Sequence, residues 1–227
     1  ITVAGCGGRF PHPTGDLYIG NSGTTVRFLT AMLAVGEGRF RLHGTPRMHE
    51  RPIEDLLTAL KSLRVDVRDE TGNGCPPVVL EAHGLNGGTA EVRSGKSSQF
   101  LSGLLMAAPY ARTPLTLIVP DALVSKPYIT MTLDVMRAFG VACPAGDLLR
   151  FAVPQGKYHG CRYDIEPDAS AASYFFAAAA VTGAQPLGHG PDDRLVPLAL
   201  DRPIPPEDPD DRPVPVARCD RVPRGPD

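Results

Sequence analysis

A short polar turn followed by an apolar, small-residue helix occurs three times in this chain, and no other feature restricts the fold as strongly. Gly20–Ala34 reads GNSGTTVRFLTAMLA, Ser94–Ala108 reads SGKSSQFLSGLLMAA and Pro167–Ala180 reads PDASAASYFFAAAA. Phe28, Phe100 and Tyr174 recur at a spacing of about 73 residues, longer than solenoid repeats but still an internal period. A second kind of element recurs between them. RPIEDLLTALKSLRVDV and KPYITMTLDVMRAFGVAC both place a Pro in the first helical turn, then an apolar stripe at helical spacing. Ile53, Leu56, Leu57, Leu60 and Leu63 form the first stripe, and Ile129, Leu133, Met136 and Phe139 the second.

Short apolar segments between these helices read as strands: Ile1–Ala4, Leu17–Ile19, Arg39–His43, Val65–Val67, Val78–Glu81, Thr89–Val92, Leu115–Val119, Phe151–Val153 and Cys161–Ile165. The unit is strand–helix–strand–helix–strand–strand, run about three times, with the first copy open at its start. A lone unit cannot bury both helices. Three units around a common axis can, with the Ala-rich helices inside, where small side chains allow close approach. The expected fold class is therefore α/β, a pseudo-threefold repeat of βαβαββ units over 1–183. Residues 184–227 are dense in Pro, Asp and Arg and match no repeat, so they are expected to be a disordered tail.

Composition narrows the function classes. A formal charge of −2 gives no general nucleic-acid footprint. No apolar run approaches membrane-spanning length. The five cysteines (Cys6, Cys75, Cys143, Cys161, Cys219) are scattered without a CxxC pair and read as free thiols in a reducing compartment. The six histidines show no metal spacing, and no metal site is assigned. The chain opens on strand-like residues without an initiator Met, which suggests a piece of something longer.

Four polar clusters fall at turn-to-helix junctions: Asn21–Thr25, Arg47–Arg51, Ser97–Gln99 and Ser125–Tyr128. In a three-unit domain such junctions gather at one end. Their N–H groups and helix dipoles then point at a shared anionic ligand. Ser97, Ser98 and Gln99 add hydroxyls and an amide; a plain Ser cap before a buried helix is the simpler reading. Asn21–Thr25 reads as a helix cap or as a backbone nest for an anion. Arg47 reads as a clamp for a carboxylate or phosphate, or as half of a surface pair with Glu50; Arg51 reads equally as a partner for Glu54.

The motifs GNSGTTVRFLTA, PRMHERPIEDL, SSQFLSGLLMAAP, VSKPYITMTL and PDASAASYFFAAAA resemble, in the same order, those of the 5-enolpyruvylshikimate-3-phosphate synthases. The resemblance covers most of the chain, about 1–183. It implies one domain of the two-domain enolpyruvyltransferase fold. It also implies a transferase of the shikimate pathway, which leads to chorismate and the aromatic amino acids. The reaction moves the enolpyruvyl group of phosphoenolpyruvate to the 5-hydroxyl of shikimate 3-phosphate and releases phosphate. It passes through a tetrahedral adduct and uses no cofactor. By motif match, Ser97, Ser98, Gln99, Ser125 and Tyr128 bind shikimate 3-phosphate. Asn21, Gly23, Thr24, Arg47 and Gln99 meet phosphoenolpyruvate.

A cytoplasmic monomer that binds neither nucleic acid nor membrane is expected. Its partners are the two substrates and a second domain. That domain carries the acid–base Asp and Glu, so no catalytic residue is assigned within this chain. The chain alone is expected to be inactive. The alternatives are a non-catalytic module that binds shikimate 3-phosphate, or an inert truncated product. Three departures from the family pattern stand out: Ser22 for the usual Ala, Phe28 where Pro is common, and His49 for a basic or polar residue.

Overall fold

A computed structural model describes residues 2–121, 123, 125–144, 146–165, 169–182, 187–189, 195–197 and 220–221. Its Cα positions fall into two compact units, Ile1–Arg162 with Cys219–Asp227, and Tyr163–Arg218.

The first unit begins with β1 (Thr14–Tyr18), α1 (Gly23–Leu33), β2 (Glu37–His43), α2 (Glu54–Ser62), β3 (Asp66–Asp69) and β4 (Val78–His83). These strands form a sheet in the order β1-β2-β4-β3. β1 runs parallel to β2, with Leu17 opposite Leu42, while β4 is antiparallel to both β2 and β3. The parallel pair requires a crossover, and α1 supplies it.

The plan then repeats. β5 (Gly88–Glu91), α3 (Gln99–Ala107), β6 (Leu115–Ile118), α4 (Lys126–Ala138) and β7 (Arg150–Val153) follow in order. The second sheet is β5-β6-β7, again with a parallel first pair and an antiparallel second pair. Both sheets start with a parallel pair crossed over by a helix, but the strand after the second helix lies beside β4 at the edge of the first sheet and pairs directly with β6 in the second. β8 (Cys161–Arg162) follows them, and α5 (Ala169–Thr182) lies in the second unit.

Packing explains the small residues. α1 and α3 lie against each other, and a Cβ at Gly103 would come within 3.3 Å of both Ala31 Cβ and Arg27 O. A glycine here leaves room for the close approach of the two backbones. The α2 stripe is buried as expected, with Ile53, Leu56 and Leu60 fully inside. The three recurring aromatics have different fates. Phe100 is fully buried, Phe28 is half-buried, and Tyr174 on α5 is exposed. Phe100 is the second residue of its helix and Phe28 the sixth, so their rings leave the helices on different turns.

Several sequence expectations are corrected. Thr2–Ala4 is not a strand, Val3 is largely exposed, and the first strand begins at Thr14. β4 and β5, joined by a short Gly/Asn connection, lie in different sheets. Leu85 in that connection is fully buried and Gly84 N bonds back to Gly36 O, which turns the chain into the second sheet. Cys6, Cys75 and Cys143 are free thiols, but Cys161 is disulfide-bonded. β8 pairs antiparallel with β11 (Asp220–Arg221), bringing Arg221 opposite Cys161, a juxtaposition that sequence spacing does not reveal. In the second unit, β9 (Leu187–His189) and β10 (Leu195–Pro197) pair antiparallel. Most of the Pro-rich stretch expected as a tail lies outside the described residues, as do Pro167 and Asp168.

Candidate functional site at the helix N-termini

The site is built from two loops and the starts of α1 and α3. Gly20 adopts a left-handed conformation and its carbonyl accepts from Thr45 N at 3.0 Å, so the turn before α1 lies beside the turn after β2. Ser22 caps α1, its Oγ accepting from Thr25 N at 3.2 Å. The cap reading of this turn is therefore what the structure shows, and it leaves Thr24 turned to a second neighbour.

That neighbour is Gln99. Its Nε2 donates to Thr24 Oγ1 at 3.0 Å, and its Oε1 accepts from Arg27 Nη1 at 2.8 Å. Arg27 Nη1 also donates to Ser97 Oγ at 3.3 Å, and Gln99 N donates to the same Oγ at 3.2 Å. Ser98 stands at the start of α3 without capping it through its side chain. Thr24, Arg27, Ser97 and Gln99 thus form one polar chain bridging the N-termini of α1 and α3.

Arg51 closes the other side. Its Nη1 donates to Asn21 O at 2.9 Å, and a Cβ at Gly23 would lie 2.7 Å from the Arg51 Cζ. The guanidinium occupies the space in front of Gly23, so a side chain there would displace the flexible end of Arg51. Burial, together with the nearby positive charge of Arg51, holds the Arg27 pKa below its ordinary value. Neither guanidinium has a carboxylate partner among the described residues. Two neighbouring cations without a counter-charge, at helix N-termini, favour an anion between them. Arg27 additionally lies over the Phe100 ring at 5.1 Å from its centroid, a cation–π contact.

The remaining expected site residues are placed as follows. Arg47 is exposed and pairs with Glu50, the surface pair foreseen as its alternative, and among the described residues no hydrogen bond joins it to the Gln99 cluster. The short 3-10 turn Pro46–Glu50 carries it outward while burying Met48. Ser125 precedes α4 in a left-handed conformation, and Tyr128 N donates to its carbonyl at 3.1 Å. No hydrogen bond joins Ser125 or Tyr128 to Ser97–Gln99 among the described residues. α3 and α4 are joined one turn deeper, where Ser102 Oγ and Thr132 Oγ1 lie 2.8 Å apart.

Sequence reasoning missed Arg27, and read Arg51 as a flank of Arg47 or a partner for Glu54. A signal for Arg27 was available: it is the one charged residue of α1, with no acid in the helix to pair with. The Arg51–Glu54 pair is not formed. Among the described residues, no cluster of three or more His, Cys, Asp or Glu side chains is arranged to hold a metal, and no helix is long and apolar enough to cross a membrane.

Parallel strand pairs crossed over by helices, with polar turns at the helix N-termini, define an α/β class of protein. The comparisons identify which class. The family model for EPSP synthase (3-phosphoshikimate 1-carboxyvinyltransferase) matches residues 1–186. The 3-phosphoshikimate 1-carboxyvinyltransferase of Marinomonas sp. is 47% identical over 83% of this chain and 45% of its own length. The protein of the same name from Nostoc sp. is 45% identical over 81% of the chain and 43% of its own length. The solved EPSP synthase of Acinetobacter baumannii superposes with a TM-score of 0.61 at 27% identity, covering 74% of this chain and 36% of that one. The chain belongs to the EPSP synthase family, has its enolpyruvyltransferase fold, and spans less than half the length of the curated relatives it matches.

Proposed function

We propose that this chain supplies the shikimate 3-phosphate half-site of a 3-phosphoshikimate 1-carboxyvinyltransferase. The observation that carries this reading is the bridge from Thr24 through Gln99 and Arg27 to Ser97, flanked by Arg51, which has no carboxylate partner among the described residues. Ser97, Ser98 and Gln99 bind shikimate 3-phosphate, and Ser125 and Tyr128, at the start of α4, join them at the phosphate and ring. Asn21, Gly23 and Thr24 line the turn that meets phosphoenolpyruvate, and Gln99 reaches both ligands. Arg47 joins them by exchanging its Glu50 partner for the ligand's anion, a low-cost exchange because the pair is exposed.

The physical logic is charge and alignment. Two polyanions must be held side by side, so N–H groups and guanidinium groups must offset their repulsion. Holding the 5-hydroxyl against the enolpyruvyl carbon then supplies much of the rate. The acid–base groups of the transfer are not among these residues. We therefore assign 1–183 to substrate binding and expect no phosphate release above background from this chain with both substrates.

The test is an NMR titration of the isotopically labelled chain with shikimate 3-phosphate. The amide signals of Ser97, Ser98, Gln99 and Tyr128 are expected to shift together and saturate. Shifts confined to other surfaces, or none in the folded chain, would contradict the assignment.

A further inference from the structure

We propose that Arg27 is a positioning residue: it fixes which way the Gln99 side-chain amide points, and so presents that amide to the ligand of the Ser97–Gln99 turn. The inference rests on the reading of that turn as the binding site.

A glutamine amide has an accepting end and a donating end that can exchange by a half-turn, and the neighbouring groups decide between them. Arg27 is a donor with no acceptor, so only Oε1 can face it. Nε2 must then face the α1 turn, where it meets Thr24 Oγ1 at 3.0 Å. The same Arg27 nitrogen holds Ser97 Oγ, which in turn accepts from Gln99 N. One guanidinium thus orients the amide and a serine hydroxyl of the turn.

Arg27 is itself held in place. Its stem leaves α1 where that helix packs on α3, and its head lies over the Phe100 ring. Phe100 is fully buried, so the platform under the guanidinium is rigid. The planar head needs this support to aim one nitrogen at two acceptors, and a lysine ammonium lacks that plane.

The test combines side-chain NMR with a double-mutant cycle on the full chain. In the native protein the two Gln99 Nε2 protons are expected at separate shifts with slowed exchange. In Arg27→Met, and in Arg27→Lys, which keeps the charge and most of the stem, they are expected to move to the values of a free amide. Shikimate 3-phosphate binding, measured by calorimetry, is expected to weaken about tenfold in each. In a Gln99→Ala background, adding Arg27→Met is expected to cost about twofold or less, because the group it acts through is gone.

Unchanged Gln99 amide signals in both Arg27 variants would overturn the proposal. So would a full tenfold penalty persisting in the Gln99→Ala background, which would make Arg27 a direct ligand contact. If the native chain does not bind shikimate 3-phosphate, the reading of the site fails instead. The Gln99 signals in the unliganded variants then still decide whether Arg27 sets the amide.

Discussion

Ser102 Oγ and Thr132 Oγ1 lie 2.8 Å apart, both buried, between the helix that carries Ser97–Gln99 and the helix that follows Ser125. Thr132 Oγ1 also donates to Tyr128 O at 2.8 Å, so the pair ties the first turn of α4 to the middle of α3. Position at the site is therefore set one helical turn below it.

Thr132→Val removes this tie while keeping the shape. It strands Ser102 Oγ, and the expected loss is about 1–3 kcal/mol of folding free energy. Adding Ser102→Ala should recover part of that loss, since no buried hydroxyl is then unpaired. Urea unfolding of the two single variants and the double variant measures both statements.

Gly103→Val places methyl groups where Ala31 Cβ and Arg27 O already stand 3.3 Å from a Cβ. Overpacking at this helix contact is expected to cost about 1–3 kcal/mol. A variant as stable as the native chain would mean that α1 and α3 can separate freely.

Gly23→Ala meets the flexible end of a side chain, the Arg51 guanidinium, rather than backbone. Stability is expected to change little. The Arg51 Nη1 contact with Asn21 O should be lost, which the Arg51 Nη–H signal reports in a low-temperature NMR spectrum. An unmoved signal would show that the guanidinium does not occupy the space in front of Gly23.

Acid titration should reveal the loop between β3 and β4. Asp69 accepts from Gly74 N at 2.9 Å, and that bond holds its carboxyl below the ordinary value of 3.8. A depressed carboxylate adds stability that is complete above the unfolded value and disappears as pH falls through the folded one. The stability difference between the native chain and Asp69→Asn should thus be constant near neutrality and shrink from about pH 4 downward. A difference independent of pH down to full protonation would contradict the assignment.

The elements were legible where local chemistry decides them. The α2 stripe, the polar turns before α1 and α3, and the alternation in β2 each follow from a few neighbouring residues. The site was legible only in part. Ser97 and Gln99 could be named from their turn, but their link to Arg27 spans 72 positions for Gln99 and depends on two helices packing through Gly103. Arg47 and Arg51 are alike in sequence and differ in direction, because the 3-10 turn sends one to solvent and the other to Asn21. The separation of β4 from β5 depends on the burial of Leu85, which a short Gly/Asn connection does not show.

The most direct test of the proposed half-site is a calorimetric titration of the chain with shikimate 3-phosphate, beside Ser97→Ala/Ser98→Ala and Arg47→Ala variants. Saturable binding that is lost in the serine variant and little changed in Arg47→Ala is the predicted result. Equal binding by the native chain and the serine variant, or none by the folded native chain, would contradict it.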